Sequence, residues 1–344
     1  MSSPRPRQSH IDGLRGLAVL LMVLVHAAAT WEPDLSGPWL MLGVVVSAGG
    51  GLAAPLFVAL LGWGLFQRDL RYTQRLWRAG FLFGCQGLVN GSAPHLFEPW
   101  TPGILSLMGA LILLEPCWRF LWTENRKPIL TFSLGLGAIL LTLLVLTGVQ
   151  GPSDWDSRVS TSSGTEFLQH MLLTGLYPIL PWIVFAWFGI TVASVPNELR
   201  KKWLSTTFVV GLGASFAIFI DGIRSDRPWA LPTGEASLTF FPANPAFLIA
   251  ALTGTAVLWM LAEQLSIFNR LSDLGRASLT VYVVHFVPFA LFHASDEIHQ
   301  WSSFSTAAAV VGYTIAWALV GTWLHRRAPF FTLEACMRRF EPPS

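Results

Sequence analysis

Charge is scarce in this chain. Only 12% of its 344 residues are Asp, Glu, Lys or Arg, against 53% hydrophobic, whereas a soluble domain carries about a quarter charged residues. That scarcity excludes a soluble domain of any size. The net charge of +2 is too small to imply a nucleic-acid partner. Cysteine is scarce too. Cys85, Cys117 and Cys336 lie far apart with no paired spacing, which excludes a disulfide framework and a cysteine metal site. No internal repeat is found, which weighs mildly against a secondary transporter. No cleavable signal is expected either. The first apolar run follows Arg5, Arg7 and Arg15 and ends in Trp31-Glu32-Pro33-Asp34 without small residues at cleavage spacing, so it reads as a retained helix.

What the chain does contain is long apolar runs, a mean hydropathy of +0.53 and 16 tryptophans, a residue that favours the membrane interface. A helix needs about 20 apolar residues to cross the hydrocarbon core. The runs predict spans near 13–31, 42–66, 76–93, 102–121, 129–149, 171–194, 203–222, 244–263, 277–295 and 303–325. With the N-terminus in the cytoplasm, 19 of the 22 basic residues fall in inside segments; only Arg158, Arg224 and Arg227 fall outside. This satisfies the positive-inside rule. The expected fold is an all-α polytopic transmembrane bundle of about ten helices, one domain over 1–344. Residues 1–12 and the tail 326–344 are both cytoplasmic in this reading. The outer segments 91–101, 150–170 and 223–243 are long enough to form a lid or cleft.

An ionisable residue inside a membrane helix is costly and therefore a functional candidate. The first span carries three: Asp12, Arg15 and His26. Arg15 and His26 are eleven residues apart, close to three helical turns, so they share a face about 16 Å apart along the axis. Asp12, three residues before Arg15, shares that face. The strip suits a long anionic cofactor with its phosphates on Arg15, whose planar fork binds two oxygens. The cofactor's reactive end would then reach His26, whose neutral imidazole suits proton abstraction. Taken singly, each residue also fits a plain structural role, as an interhelical link or a topological anchor.

These residues also carry a resemblance. Arg15 and His26 reproduce the R-x10-H pattern of the membrane acyltransferase-3 O-acyltransferases. Ile11-Asp12-Gly13-Leu14-Arg15-Gly16-Leu17-Ala18 resembles the start of those enzymes and of the heparan-alpha-glucosaminide N-acetyltransferase-like bacterial proteins. Ala54-Pro55-Leu56-Phe57 with Gly62, Pro102 to Leu105, Leu173 to Trp182 and Leu274 to Tyr282 are similar to the second group. The heparan-type enzymes have Asn at the R-x10 position and their key histidine in the first outer loop. This chain has no histidine between His26 and His95 and sides with the O-acyltransferases there. The resemblance implies transfer of an acyl group, usually acetyl from acetyl-CoA, across the membrane to a glycan or similar acceptor, in a bacterial inner membrane. It implies acetyl-CoA or another acyl-CoA as co-substrate and no metal. The expected partners are that acyl-CoA, a glycan or other small acceptor and the lipid bilayer, with a homodimer left open.

Secondary candidates follow. Ser278, Tyr282 and His285 form a stripe at i, i+4 and i+7; His285 is the second catalytic candidate, and Ser278 and Tyr282 with Arg276 are candidates for the cofactor. Asn90, His95 and Glu98 at the outer end of the third span, Tyr177 and Trp182 beside Pro178 and Pro181, and Asp221 are candidates for the acceptor. Each also reads as an ordinary polar ladder, solvated loop, interfacial anchor or surface ion pair. Gly49, Gly50, Gly51, Gly62 and Gly64 read as packing positions. Two other functions stay open: a permease for an anionic solute, and a noncatalytic partner in envelope glycan assembly.

Overall fold

The structure is a computed structural model that describes residues 8–33, 37–123, 127–146, 148–289 and 301–343. It is built almost wholly of helices. In chain order these are α1 (Ser9–Trp31), α2 (Leu40–Gln67), α3 (Tyr72–Ser92), α4 (Ile104–Leu113), α5 (Glu115–Thr123), α6 (Pro128–Val145), α7 (Asp156–Val159) and α8 (Gly164–Gln169). There follow α9 (Ile179–Ser194), α10 (Asn197–Arg224), α11 (Pro245–Gln264), α12 (Ser272–Arg276), α13 (Ser278–Val284), α14 (Ser303–Arg327) and α15 (Leu333–Arg339). Among the described residues the only strands are two-residue segments, Ala230–Leu231 paired parallel with Leu238–Thr239.

Six helices, α1, α2, α6, α10, α11 and α14, are each long and apolar enough to cross a membrane. Two bent pairs raise the number to eight: α4 with α5, bent by 64°, and 164–174 with α9, bent by 50°. The other two expected spans have structural counterparts that fall short for different reasons. α3 is long enough, but Arg75, Arg78, Gln74, Gln86 and Asn90 make it too polar. The apolar helix over Ser278–Phe289 is too short, and the rest of the expected span 277–295 lies outside the described residues. The break near Pro178 and Pro181 is present. A π-helical turn over His170–Thr174 ends at Gly175, and α9 starts only at Ile179.

Burial sorts the helices into a core and a rim. α1 is enclosed nearly all round by α2, α11, α12, α13 and α14. α6, α10 and α14 instead present Leu134, Leu141, Val209, Val210, Phe216 and Leu319 outward, as helices facing hydrocarbon must. α2 and α9 meet through glycine. A Cβ on Gly62 would lie 2.0 Å from the Ala186 carbonyl oxygen, and one on Gly189 would lie 1.7 Å from that of Ala59. Such close backbones maximise van der Waals contact where no hydrophobic drive joins helices. Gly49 and Gly50 likewise seat Leu21 and Val25 of α1, and Gly51 only grazes Phe247, whereas Gly64 has nothing within 4 Å and is no packing position.

Candidate active site

The site begins where α1 starts. A Cβ on Gly13 would meet the Phe268 carbonyl oxygen at 2.2 Å, one on Gly16 that of Leu271 at 2.2 Å, and one on Gly275 that of Asp12 at 1.8 Å. These three glycines let the segment 268–276 lie directly on the first turns of α1. That contact brings Arg276 to Asp12 across 264 positions of sequence. The Asp12 carboxylate, almost fully buried, accepts from Arg15 Nη1 at 2.9 Å and from Arg276 Nε at 3.2 Å. Asp273 accepts from Arg326 Nε at 2.6 Å and lies 4.0 Å from Arg276 Nη1 and 3.9 Å from His325 Nε2. Among the described residues, three guanidiniums therefore share two carboxylates. Arg15 and Arg276 keep 30% and 32% of their side-chain surface open. A cluster with surplus positive charge and two partly open planar forks suits a phosphate. Asp12, Arg15 and Arg276 are thus brought together; Ser278, two residues on from Arg276, is half-buried at the start of α13.

Three turns along α1, His26 meets His285. Its Nδ1 lies 2.9 Å from His285 Nε2, and the two rings are within 5° of parallel. His285 is wholly buried. Its Nδ1 lies 2.7 Å from the Tyr282 carbonyl oxygen and 3.0 Å from that of Val281. Carbonyls only accept, so His285 Nδ1 must carry the proton. The neutral His285 Nε2 is then bare and accepts, so His26 Nδ1 must donate to it. His26 Nε2 is left with its lone pair. His26 is only half-buried, so this lone pair belongs to the accessible member of the pair. The Tyr313 hydroxyl donates to the His285 carbonyl oxygen, and Phe286 packs 4.9 Å from the His26 ring between centroids. Tyr282 sits 6.0 Å from the His285 ring.

The strip of α1 between the two ends is closed. Ala18 is 0% and Met22 4% exposed, so Arg15 and His26 share a face but not a continuous open groove in this conformation. Met22 is the adaptable part of that seal, being unbranched and flexible.

Beyond the histidines lies a cap of three tied segments. Thr101 Oγ1 donates to the Val159 carbonyl oxygen at 2.6 Å, Thr161 N to Glu98 Oε2 at 2.9 Å, and Gln150 Nε2 to the Ala243 carbonyl oxygen at 3.1 Å. The buried Arg158 guanidinium donates to the carbonyl oxygens of Gln150, Thr174 and Gly175 at 2.9–3.0 Å. Burial pushes its pKa down to about 10, still a cation at neutral pH. His170, given no role from sequence, is buried and bonded to Thr174 Oγ1 and the Ser160 carbonyl oxygen. Aromatic rings line the way from cap to histidines: Trp155, Phe97, Phe286 and His26 follow each other at centroid spacings of 6.2, 5.9 and 4.9 Å.

The acceptor candidates scatter. Asn90 is buried, its amide hydrogens given to the carbonyl oxygens of Pro99 and Thr101 and its oxygen taken by Gln86; it braces the loop. Glu98 is spent on Thr161 N, and His95 is exposed in the same turn. Trp182 is wholly buried and packs 4.9 Å from the Tyr177 ring. Asp221 forms an exposed ion pair with Arg227, apart from the histidines.

A family profile described as an acyltransferase domain, of the acyltransferase-3 type, matches residues 9–323, from the first turn of α1 nearly to the end of α14. The chain belongs to the acyltransferase-3 family. By that membership it is a membrane acyltransferase, and the resemblance to the acyltransferase-3 family holds. No curated protein matches the chain. The matched region contains Arg15, Arg276, both histidines and the cap; Arg326 lies just beyond it. Sequence reasoning missed Tyr313 and Phe286. No local pattern marks them, because each acts on a residue distant in sequence or within an apolar run.

Proposed function

We propose that the protein transfers an acyl group, acetyl in the simplest case, from cytoplasmic acyl-CoA to a hydroxyl or amine of an acceptor on the other side of the membrane, a glycan being the favoured class. One observation carries the reading: the His26–His285 hydrogen bond at 2.9 Å, with His285 Nδ1 committed to backbone carbonyls. A base must have its lone pair free and its orientation held by a second group. His26 Nε2 has both.

In direct transfer, His26 Nε2 takes the proton of the acceptor O–H or N–H as that atom attacks the thioester carbonyl. The C–S bond then breaks, and the proton passes from His26 to the departing thiolate to give CoA thiol. His285 Nε2, accepting from His26 Nδ1, stabilises the transient imidazolium. Arg15 and Arg276 would hold the phosphates, with Asp12 aligning both guanidiniums. Both ends of the protein are cytoplasmic in this reading, with the arginine cluster on the CoA side and the cap over the acceptor. The closed strip at Ala18 and Met22 implies that Met22 swings aside to admit the thioester arm. A covalent route through acyl-His26 differs in one observable, a burst of CoA release with acyl-CoA alone.

Purified protein in lipid discs, given acetyl-CoA and glucosamine, tests the proposal by the appearance of free thiol. Wild type should release CoA and His26→Ala should lose 10²- to 10⁴-fold, on the order expected for a general base. Equal release by both would sink the mechanism. Uptake of an anionic solute into vesicles without CoA would favour the permease instead.

A further inference from the structure

The residues after α14 lie beyond the stretch matched by the family profile, yet they reach the helix that holds His285. α13 begins at Ser278 with no side-chain cap of its own. Its first amides would be orphaned, since the first four N–H groups of any helix lack an intrahelical acceptor. The Glu334 carboxylate of α15 supplies the acceptors. Its Oε1 takes Leu279 N at 2.6 Å and Thr280 N at 3.4 Å, and its Oε2 takes the Thr280 hydroxyl at 2.6 Å. The same Thr280 oxygen accepts from Leu333 N at 2.8 Å. The two helices therefore cap each other reciprocally, although about 54 residues separate them in sequence.

No cation pairs with Glu334 among the described residues. Burial pushes its pKa up, and the bonds from the Thr280 hydroxyl and the Leu279 and Thr280 amides act in the opposite direction. The next carbonyls along α13 are those of Val281 and Tyr282, the two that hold the proton on His285 Nδ1. The rest of the tail is anchored separately, on α3. Arg78 forms a two-pronged ion pair with Glu341 at 2.8 and 3.0 Å, Trp77 Nε1 donates to the Met337 carbonyl oxygen at 2.8 Å, and Gln74 Nε2 to that of Pro342 at 3.2 Å.

We propose that Glu334 is a positioning residue for the histidine pair: by capping α13 it fixes the turn whose carbonyls set the His285 tautomer, and through it the free lone pair of His26. The catalytic half of this statement rests on the acyl-transfer reading; the tautomer half does not. The test uses full-length protein in lipid discs with ¹⁵N-labelled histidine, the two resonance sets being assigned with His26→Ala and His285→Ala. Protonated and bare ring nitrogens are distinguishable by shift, so the tautomers are read directly.

Wild type should show both His26 and His285 protonated at Nδ1. Glu334→Ala should mix the His285 tautomers and lower the rate of CoA release roughly tenfold, about the loss of one helix cap, with KM for acetyl-CoA unchanged. Glu334→Gln, which keeps an acceptor oxygen at the amides, should restore most of both. Glu341→Ala, which loosens only the anchor on α3, should leave both histidine signals as in wild type. The proposal is overturned if Glu334→Ala leaves the tautomers unaltered, or if Glu341→Ala disturbs them equally, since the tail would then act only as a general clamp. If His26→Ala keeps full CoA release, the acyl-transfer reading fails by itself, and the nitrogen spectra still decide the part played by Glu334.

Discussion

Replacing His285 by alanine isolates what the second histidine contributes. In the native pair, His26 Nδ1 donates to His285 Nε2 at 2.9 Å in a site where His285 is fully buried. The substitution leaves that N–H without its acceptor, and a buried donor stranded in this way costs about 1–3 kcal/mol. The cost biases His26 toward the other tautomer, with the proton on Nε2, which cannot act as base. Converted at about 1.4 kcal/mol per factor of ten, the loss in turnover is roughly 5- to 150-fold. His26→Ala removes the base itself and should lose on the order of 10²- to 10⁴-fold. Since His285 acts only through His26, the double variant should match His26→Ala alone, a complete failure of additivity. His285→Gln, which can place an amide oxygen near the former Nε2, should recover part of the rate. The assay is thiol release from acetyl-CoA by protein in lipid discs, with each variant first shown to be folded by its thermal transition. Losses that multiply in the double variant would refute the relay, as would a His285→Ala enzyme as fast as wild type.

Other outcomes follow from the same geometry. Arg15→Ala should raise KM for acetyl-CoA while leaving the rate with a short thioester lacking the nucleotide unchanged, because the Arg15–Asp12–Arg276 cluster would touch only phosphate; equal losses with both donors would contradict this. Gly275→Ala drives a methyl to 1.8 Å from the Asp12 carbonyl oxygen and should cost about 1–3 kcal/mol, the range for overpacking, read as a lower Tm. Gly64→Ala meets nothing within 4 Å and should be neutral or stabilising by about 0.5–1 kcal/mol. Arg158→Ala strands three carbonyl oxygens in the cap and should destabilise by at least about 1.5–3 kcal/mol, the worth of a single bond to a charged group, read as a lower Tm; Arg158→Lys should not rescue it, since a single ammonium lacks the planar fork.

The helices were legible because length and apolarity decide a membrane span almost alone. α1, α2, α6, α10, α11 and α14 lie within about six residues of their expected bounds. α3 was less legible. Its Gln86 and Asn90 interrupt an apolar run, and the structure shows why they are there: they hold the turn from Pro99 to Leu105. A brace and a ligand are the same residue types in sequence, so Asn90 was equally readable as an acceptor contact. Arg15 and His26 could be placed on one face from spacing alone. The seal at Ala18 and Met22 could not, because it depends on what other helices bring to that face. His26 and His285 were each chosen for intramembrane charge, but their contact spans 259 positions, and one sequence carries no signal at that range. The same limit hid Glu334. Its partner Thr280 sits on another helix, and a short tail rich in Arg and Phe looks topogenic until its carboxylate is seen at the start of α13.

The most direct measurement is a structure of the protein with a non-hydrolysable acyl-CoA analogue. The account predicts the thioester-mimicking carbonyl within about 3.5 Å of His26 Nε2, near-attack range, the phosphates on Arg15 and Arg276, and Met22 turned away from its present place. An analogue bound elsewhere, or one whose acyl end lies far from the two imidazoles while the arginines stay bare, would contradict it.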